Sequence, residues 1–361
     1  MQVVFRVDAS REIGTGHLMR CLTLADALTP RGVTSRFVCR QHPGHLFDVV
    51  RRRGHALIEL PGNQEAIAKG AGALAHAAWL GCDWRVDAEQ TSAAIGQIDA
   101  DWLIVDHYAL DAAWEKRLVA PNRRLLVIDD LADRMHECDL LLDQNLVEDY
   151  DHRYDDKVPG RCAKLLGPEF ALIQPVFAEL RQRGRRTSGR IGRILIAFGG
   201  ADANNMAGMA VQAFLSLRRP DIEVDLVIGS SSPHLEQLRQ QIGGNSNVSL
   251  HCDLPTLAPL MARADLAVGA AGTMTWERLC LGLPALIVTL AKNQQPIAKS
   301  LQQHGLARWL GQDDSVRATD FEQALKEILD VGIDPEYVER AYAIVDGLGV
   351  GRVSARLMDA A

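Results

Sequence analysis

Residues 8–28, DASREIGTGHLMRCLTLADAL, follow the apolar run VVFRV at residues 3–7. The pair reads as strand, glycine loop, helix, the opening of a βαβ unit. Gly14 and Gly16 permit a sharp turn and a close approach of ligand to backbone. A P-loop would carry lysine where His17 stands, which counts against an NTPase. His17 opens the helix. The N-terminal end of a helix disfavours imidazolium, so a neutral ring able to accept a proton is expected there. The plainer alternative is a histidine that caps its own helix. Asp8, at the strand end, could orient His17 or a substrate hydroxyl, or serve as a turn residue.

The same alternation continues outward. Strand-like runs are expected at 3–9, 34–40, 55–60, 101–108, 123–130 and 140–145, with helical stretches such as 17–29 and 86–98 between them. Several runs are apolar on both faces, as a parallel sheet covered by helices requires. The pattern breaks at 150–192, which is polar and holds Pro and Gly, and restarts with RILIAFGG, IEVDLVIG, NVSLHCD, DLAVGAA and PALIVTL. The fold class is therefore α/β, with two Rossmann-like doubly wound domains expected to face a cleft. The expected divisions are 1–165, a linker at 166–190, a second domain at 191–335, and C-terminal helices at 336–361 that could pack back on the first domain.

Composition sets bounds. The 361 residues, 47% of them hydrophobic, suffice for two cores. A net charge of −7 argues against a nucleic-acid partner. The basic run RQRGRRTSGRIGR at 181–193 reads as a solvated linker. Seven cysteines without C-x-x-C spacing suggest reduced thiols and a cytoplasmic location. No signal-peptide pattern and no integral membrane segment are expected. A monomer is expected.

Ligands of such sheets bind at the carboxyl ends of the strands. Those ends are polar here: Asp106, His107 and Tyr108; Asp129 and Asp130; Asp143, Gln144 and Asn145; Gly199, Gly200 and Asp202; Asn293 and Gln294. GAAGTMTWE at 269–277 places Gly272 and Thr273 before a helix, where amides favour an anion such as a diphosphate. Glu277, in that helix's first turn or so, could accept hydrogen bonds from a ribose diol, or cap the helix. Asp129 and Asp130 lack a third ligand at metal-site spacing, so no metal is expected.

RVDASREIGTGHLMRCLTLADAL, VDHYALDAAWE, LLDQN, LLGPEFALIQPVF, AFGGADANN and GAAGTMTWERLCLGLPALIV occur in one order. Together they resemble the UDP-2,4-diacetamido-2,4,6-trideoxy-β-L-altropyranose hydrolases of pseudaminic acid biosynthesis and the spore-coat polysaccharide glycosyltransferases grouped with them. G-x-G-H-x-M-R-C is the most specific segment. The glycine loop and Glu277 alone would fit many GT-B glycosyltransferases. The resemblance implies a GT-B fold, a UDP-sugar substrate and no cofactor. It implies a first domain that holds sugar and water, with His17 as base, and substrate contacts at Asp8, Gly14, Gly16 and Tyr108 and, from the second domain, Asn293 and Gln294. It implies a second domain that holds UDP through Gly200, Gly272, Thr273 and Glu277. Inverting attack of water at the anomeric carbon would follow. A glycosyltransferase with a sugar or lipid acceptor is the alternative, and the basic segment 44–53 leaves membrane docking by such an enzyme open.

Overall fold

The apolar runs become strands of two sheets in which every described pairing is parallel. The structure, a computed structural model, describes residues 1–62, 74–185, 189–200, 202–230 and 232–359. Residues 186–188 of the basic run and Ala201 of the FGGAD loop lie outside the described residues.

The first sheet holds β1 (Gln2–Val7), β2 (Thr34–Arg40), β3 (Ala56–Leu60), β4 (Trp102–Asp106), β5 (Arg124–Ile128), β6 (Leu140–Asp143) and β7 (Ala163–Leu166). Their order is β3-β2-β1-β4-β5-β6-β7. The second holds β8 (Arg193–Ala197), β9 (Glu223–Ile228), β10 (Val248–Cys252), β11 (Leu266–Ala270), β12 (Ala285–Thr289) and β13 (Arg308–Gln312), in the order β10-β9-β8-β11-β12-β13. Both follow the doubly wound pattern, whose order reverses beside the first strand and leaves a crevice there. In the first sheet that point lies between β1 and β4, and in the second between β8 and β11.

Side chains of a strand alternate between its faces. In the first sheet Val3, Phe5, Val7, Trp102 and Ile104 pack on one face with Leu18, Cys21 and Leu22 of α1 (Gly16–Leu28), and with Val350, Val353 and Leu357 of the helix Gly349–Asp359. Val4, Val38, Leu103 and Val105 pack on the other with Ala88 and Trp114. Trp102 Nε1 donates to the Leu357 carbonyl at 3.2 Å, which ties the late helix to β4. The second sheet has its own core, including Ile194, Ile196, Phe214, Val268, Leu286 and Phe321.

The chain forms two compact units. One takes Met1–Asn145, Asp149–Leu172 and Gly349–Ala361, the other Leu146–Glu148 and Ile173–Leu348. The stretch 166–190, expected as a linker, is divided between them. Its helix Pro175–Gln182 belongs to the second unit, where Arg181 donates to the carbonyls of Tyr342 and Val345, 2.9 Å each, and lies 3.9 Å over the Tyr342 ring. The tail is divided as well, since the helix Tyr337–Ile344 lies in the second unit and Gly349–Asp359 in the first. No helix among the described residues is long and apolar enough to cross a membrane.

Candidate functional site

The switch point of the first unit gathers charge. Val7 of β1 pairs with Asp106 of β4, so Asp106 projects from the face that α1 covers. There His17 Nδ1 lies 2.6 Å from Asp106 Oδ1. Arg20, one turn along α1, donates to both oxygens of Asp106 at 2.7 Å and to Asp130 at 2.8–3.0 Å. Burial pushes the Asp106 carboxyl up, but the Arg20 guanidinium and then His17 outweigh it and hold the group well below the usual carboxylate range. An ionised Asp106 accepts a hydrogen bond, which assigns the proton of a neutral His17 to Nδ1. Arg20 Nη2 is 3.3 Å from that nitrogen, but both are donors, so the guanidinium bonds only the carboxylates. No described residue hydrogen-bonds His17 Nε2, and the side chain is 10% exposed. The imidazole is therefore fixed at one nitrogen and open at the other.

The GTG loop is organised by itself. Ser10 Oγ accepts from the amides of Glu12 and Ile13, and the Gly14 amide donates to the Ser10 carbonyl at 2.9 Å. Gly14 has φ +82°, a backbone region that L side chains avoid. No side chain caps α1, so His17 does not cap its own helix, and no described side chain accepts from the amides of the first turn beside it.

Alternation sorts the remaining strand-end groups. Asp8 points to the face opposite α1. It is fully buried, accepts from the Arg40 amide at 2.6 Å, and pairs with Arg6 at 2.7 Å. It does not reach His17, and Asp106 holds the orienting position expected of it. His107 joins Asp8 on that face: its Nδ1 accepts from the Ala109 amide at 3.1 Å and its Nε2 lies 3.3 Å from Asp8. Asp129 and Asp130 also part. Asp129 meets Arg134 at 2.8 Å and Tyr154 at 2.8 Å, whereas Asp130 meets Arg20 and Asn145. Among the described residues no group of three or more His, Cys, Asp or Glu is placed to hold a metal ion.

Tyr108 is buried, with its hydroxyl donating to Asp130, and it presents its ring to His17 in an edge contact with centroids 4.5 Å apart. It flanks the imidazole, and its hydroxyl is already committed. The sequence reading gave no role to Arg20. Its spacing of three residues from His17 in G-x-G-H-x-M-R-C was the available signal, because i and i+3 share a helix face.

In the second unit two loops lie at the switch point. After β8, Asp202 accepts from the amides of Met206 and Ala207 at 2.9 Å each, so the unit's own carboxylate occupies the start of the helix Met206–Ser216. Gly200 precedes it, with its carbonyl accepting from the Gly229 amide at 3.1 Å. After β11, no side chain caps the helix Met274–Cys280. A Cβ on Gly269 would lie 2.3 Å from the Ala197 carbonyl, so only glycine fits there, while Gly272 is open except for Gln294 Nε2 at 3.7 Å. Gln294 Oε1 accepts from the Leu290 amide at 2.8 Å, which turns its amide nitrogen toward Gly272. Asn293 Oδ1 is buried without a hydrogen-bond partner. Gln294 thus stands beside the Gly272–Thr273 loop of this unit, with Asn293 next to it in the chain. Glu277 is half-buried, has no hydrogen-bond partner among the described residues, and burial pushes its carboxyl up to about 7 against the opposing charge of Arg278.

Residues 193–341 match the glycosyltransferase family 28 C-terminal domain. Among solved structures, MurG of Acinetobacter baumannii superposes with a TM-score of 0.63 at 14% identity, covering 99% of each chain. With the two doubly wound sheets, this likeness shows a GT-B fold. More particularly, the chain resembles the UDP-2,4-diacetamido-2,4,6-trideoxy-beta-L-altropyranose hydrolase of Campylobacter jejuni, 26% identical over 84% of this chain and 97% of that one. It is also similar to the spore coat polysaccharide biosynthesis protein SpsG of Bacillus subtilis, 28% identical over 56% of this chain, and there it spans 60% of the relative's length.

Proposed function

We propose that the protein hydrolyses a UDP-linked 2,4-diacetamido-2,4,6-trideoxy sugar to UDP and free sugar. The observation that carries this reading is the His17–Asp106 pair, bonded at Nδ1 and open at Nε2. Likeness to the hydrolase along nearly its whole length supports the choice of substrate.

In this reading a water lies against His17 Nε2. Its oxygen attacks the anomeric carbon from the face opposite UDP, Nε2 takes its proton, and the bond from that carbon to the diphosphate oxygen breaks, so the product is the inverted anomer. Asp106 and Asp130 carry two negative charges against one from Arg20. Protonated His17 balances the remaining charge, which stabilises the proton transfer. In the second unit the Gly272–Thr273 loop receives the diphosphate, Gly200 lies near the nucleotide, and Glu277 accepts from the ribose hydroxyls. The match to the family 28 C-terminal domain and the unpaired Glu277 carboxyl support that division of labour. Helix amides, and not a cation, meet the leaving diphosphate, so turnover should survive EDTA. Loss on chelation with recovery on adding a divalent ion would overturn that point.

The family 28 match also fits a glycosyltransferase, because one base serves water or an acceptor hydroxyl. Incubation with the UDP-sugar and no acceptor separates the two. Many turnovers to UDP and reducing sugar, with oxygen from ¹⁸O-water in the sugar and none in UDP, support hydrolysis. Label in UDP would mean attack at phosphorus, and release of UDP only on adding an acceptor would mean transfer.

A further inference from the structure

Beside His17 stands an aromatic group that no step above uses. The short turn Ala77–Leu80 carries Trp79, whose ring stacks on Tyr108 with centroids 5.7 Å apart and planes 25° from parallel. His76 lies 4.4 Å from Trp79 and 5.4 Å from Tyr108. Trp79 lies 6.5 Å from the His17 ring, nearly perpendicular to it. Tyr108 is the buried floor of this group, whereas Trp79 and His76 are both partly exposed. The contrast with other tryptophans is informative. Trp102, Trp114 and Trp276 are core residues, and the Trp84 ring is covered by Arg85 and Arg117. No described residue accepts a hydrogen bond from Trp79 Nε1. The wall next to the proposed base therefore offers an apolar face and one N–H donor that no described residue accepts.

We propose that Trp79, backed by His76, is the surface against which the sugar ring lies, and that it selects sugars bearing N-acyl and C6-methyl groups over fully hydroxylated hexoses. The proposal rests on the hydrolase reading and deepens it. An aromatic face gains by covering C–H and methyl groups and loses by covering hydroxyls that need water. An acetamido group answers both features, with a methyl for the ring face and a carbonyl for the indole N–H. A 2,4-diacetamido-6-deoxy sugar carries three methyl groups and two such carbonyls. Burial works against a charge on His76 and lowers its pKa, which keeps the wall uncharged near neutrality.

The test is kinetic, with Trp79→Ala and Trp79→Phe compared with wild type on the UDP-diacetamido-trideoxy sugar. Trp79→Ala should raise KM about tenfold or more, with kcat nearly unchanged and the Ki of UDP unchanged. Trp79→Phe keeps a ring and loses the donor, so KM should rise only a few-fold. A KM within twofold of wild type in Trp79→Ala overturns the proposal. So does a fall in kcat at constant KM, which would make Trp79 a support for His17. If wild type releases no UDP from this substrate, the hydrolase reading fails by itself. The wall is then tested by saturation transfer from protein to the acetyl methyl of UDP-N-acetylglucosamine: transfer lost in Trp79→Ala with the uridine signals retained supports it, and equal transfer overturns it.

Discussion

His17 has one committed nitrogen and one that no described residue bonds, and the base role proposed for it rests on that asymmetry. Replacing it by Asn should lower kcat about 10²–10⁴-fold while the Ki of UDP stays the same. Asp106→Asn makes a sharper case. The amide can still bond Nδ1, but it can hold the ring in the wrong tautomer and removes the charge that balances a protonated imidazole. A fall of similar size is expected, with a shifted acid limb in the kcat/KM profile. A variant within a few-fold of wild type would return Asp106 to a packing role. Glu277 gives a pH prediction. Its carboxyl, pushed up to about 7, is mostly protonated at pH 6 and ionised at pH 8. In the proposed site the ionised carboxylate accepts from both ribose hydroxyls, while the protonated group has one oxygen turned donor and accepts more weakly, so UDP affinity should fall as pH drops below about 7, by up to about tenfold per unit. Calorimetry at pH 6 and 8 reads this directly. Glu277→Gln should bind UDP weakly at both values, and an equal pH dependence in that variant would assign the effect elsewhere.

At the scale of elements, alternation along β4 and β5 decided which groups meet. The sequence analysis placed the strand ends, and it set Asp8, Asp106, Asp129 and Asp130 there. It could not sort them by face, because the run of apolar residues on both sides of a parallel strand erases the period-two signal. The register Val7 to Asp106 was needed for that. The two unexpected strands have a similar cause. β7 and β13 are edge strands, half-solvated along their length, so neither shows a long apolar run. On the face away from α1, His136 joins two elements, with Nδ1 2.7 Å from Glu115 of the helix Ala112–Leu118 and Nε2 3.8 Å from Asp129 after β5. Burial opposes its charge, but Asp129 and Glu115 outweigh it and raise its pKa from 6.5 to about 9. A raised histidine stabilises the fold fully below its unfolded value and loses that contribution as pH rises through its folded value. Unfolding free energy should therefore decline between pH 6.5 and about 9, on the order of 3 kcal/mol from this group. Urea titrations across that range should show a flatter profile for His136→Gln. An unchanged slope would remove the assignment.

At the scale of the whole molecule, the first unit is discontinuous. Its core on the α1 side includes Val350, Val353 and Leu357, and α1 carries both His17 and Arg20. Removing residues 349–361 should expose that face of α1, lower the melting temperature, and abolish turnover together with the ordering of His17. A fragment of residues 1–172 should fold cooperatively only when a peptide of residues 349–361 is added. Cooperative unfolding of the fragment alone, seen by circular dichroism, would contradict this.

This discontinuity also has a consequence for biosynthesis. Residues 173–348 leave the ribosome before the helix that closes the first unit. At about 5–20 residues per second, the apolar stripe of α1 waits on the order of ten seconds or more for its cover. The second unit, continuous over nearly its whole length, is complete by residue 348, before the first unit receives its last helix. Folding during translation should therefore run against chain order, the later half settling while the earlier half is still open to chaperones, and His17 and Asp106 coming into register only as synthesis ends.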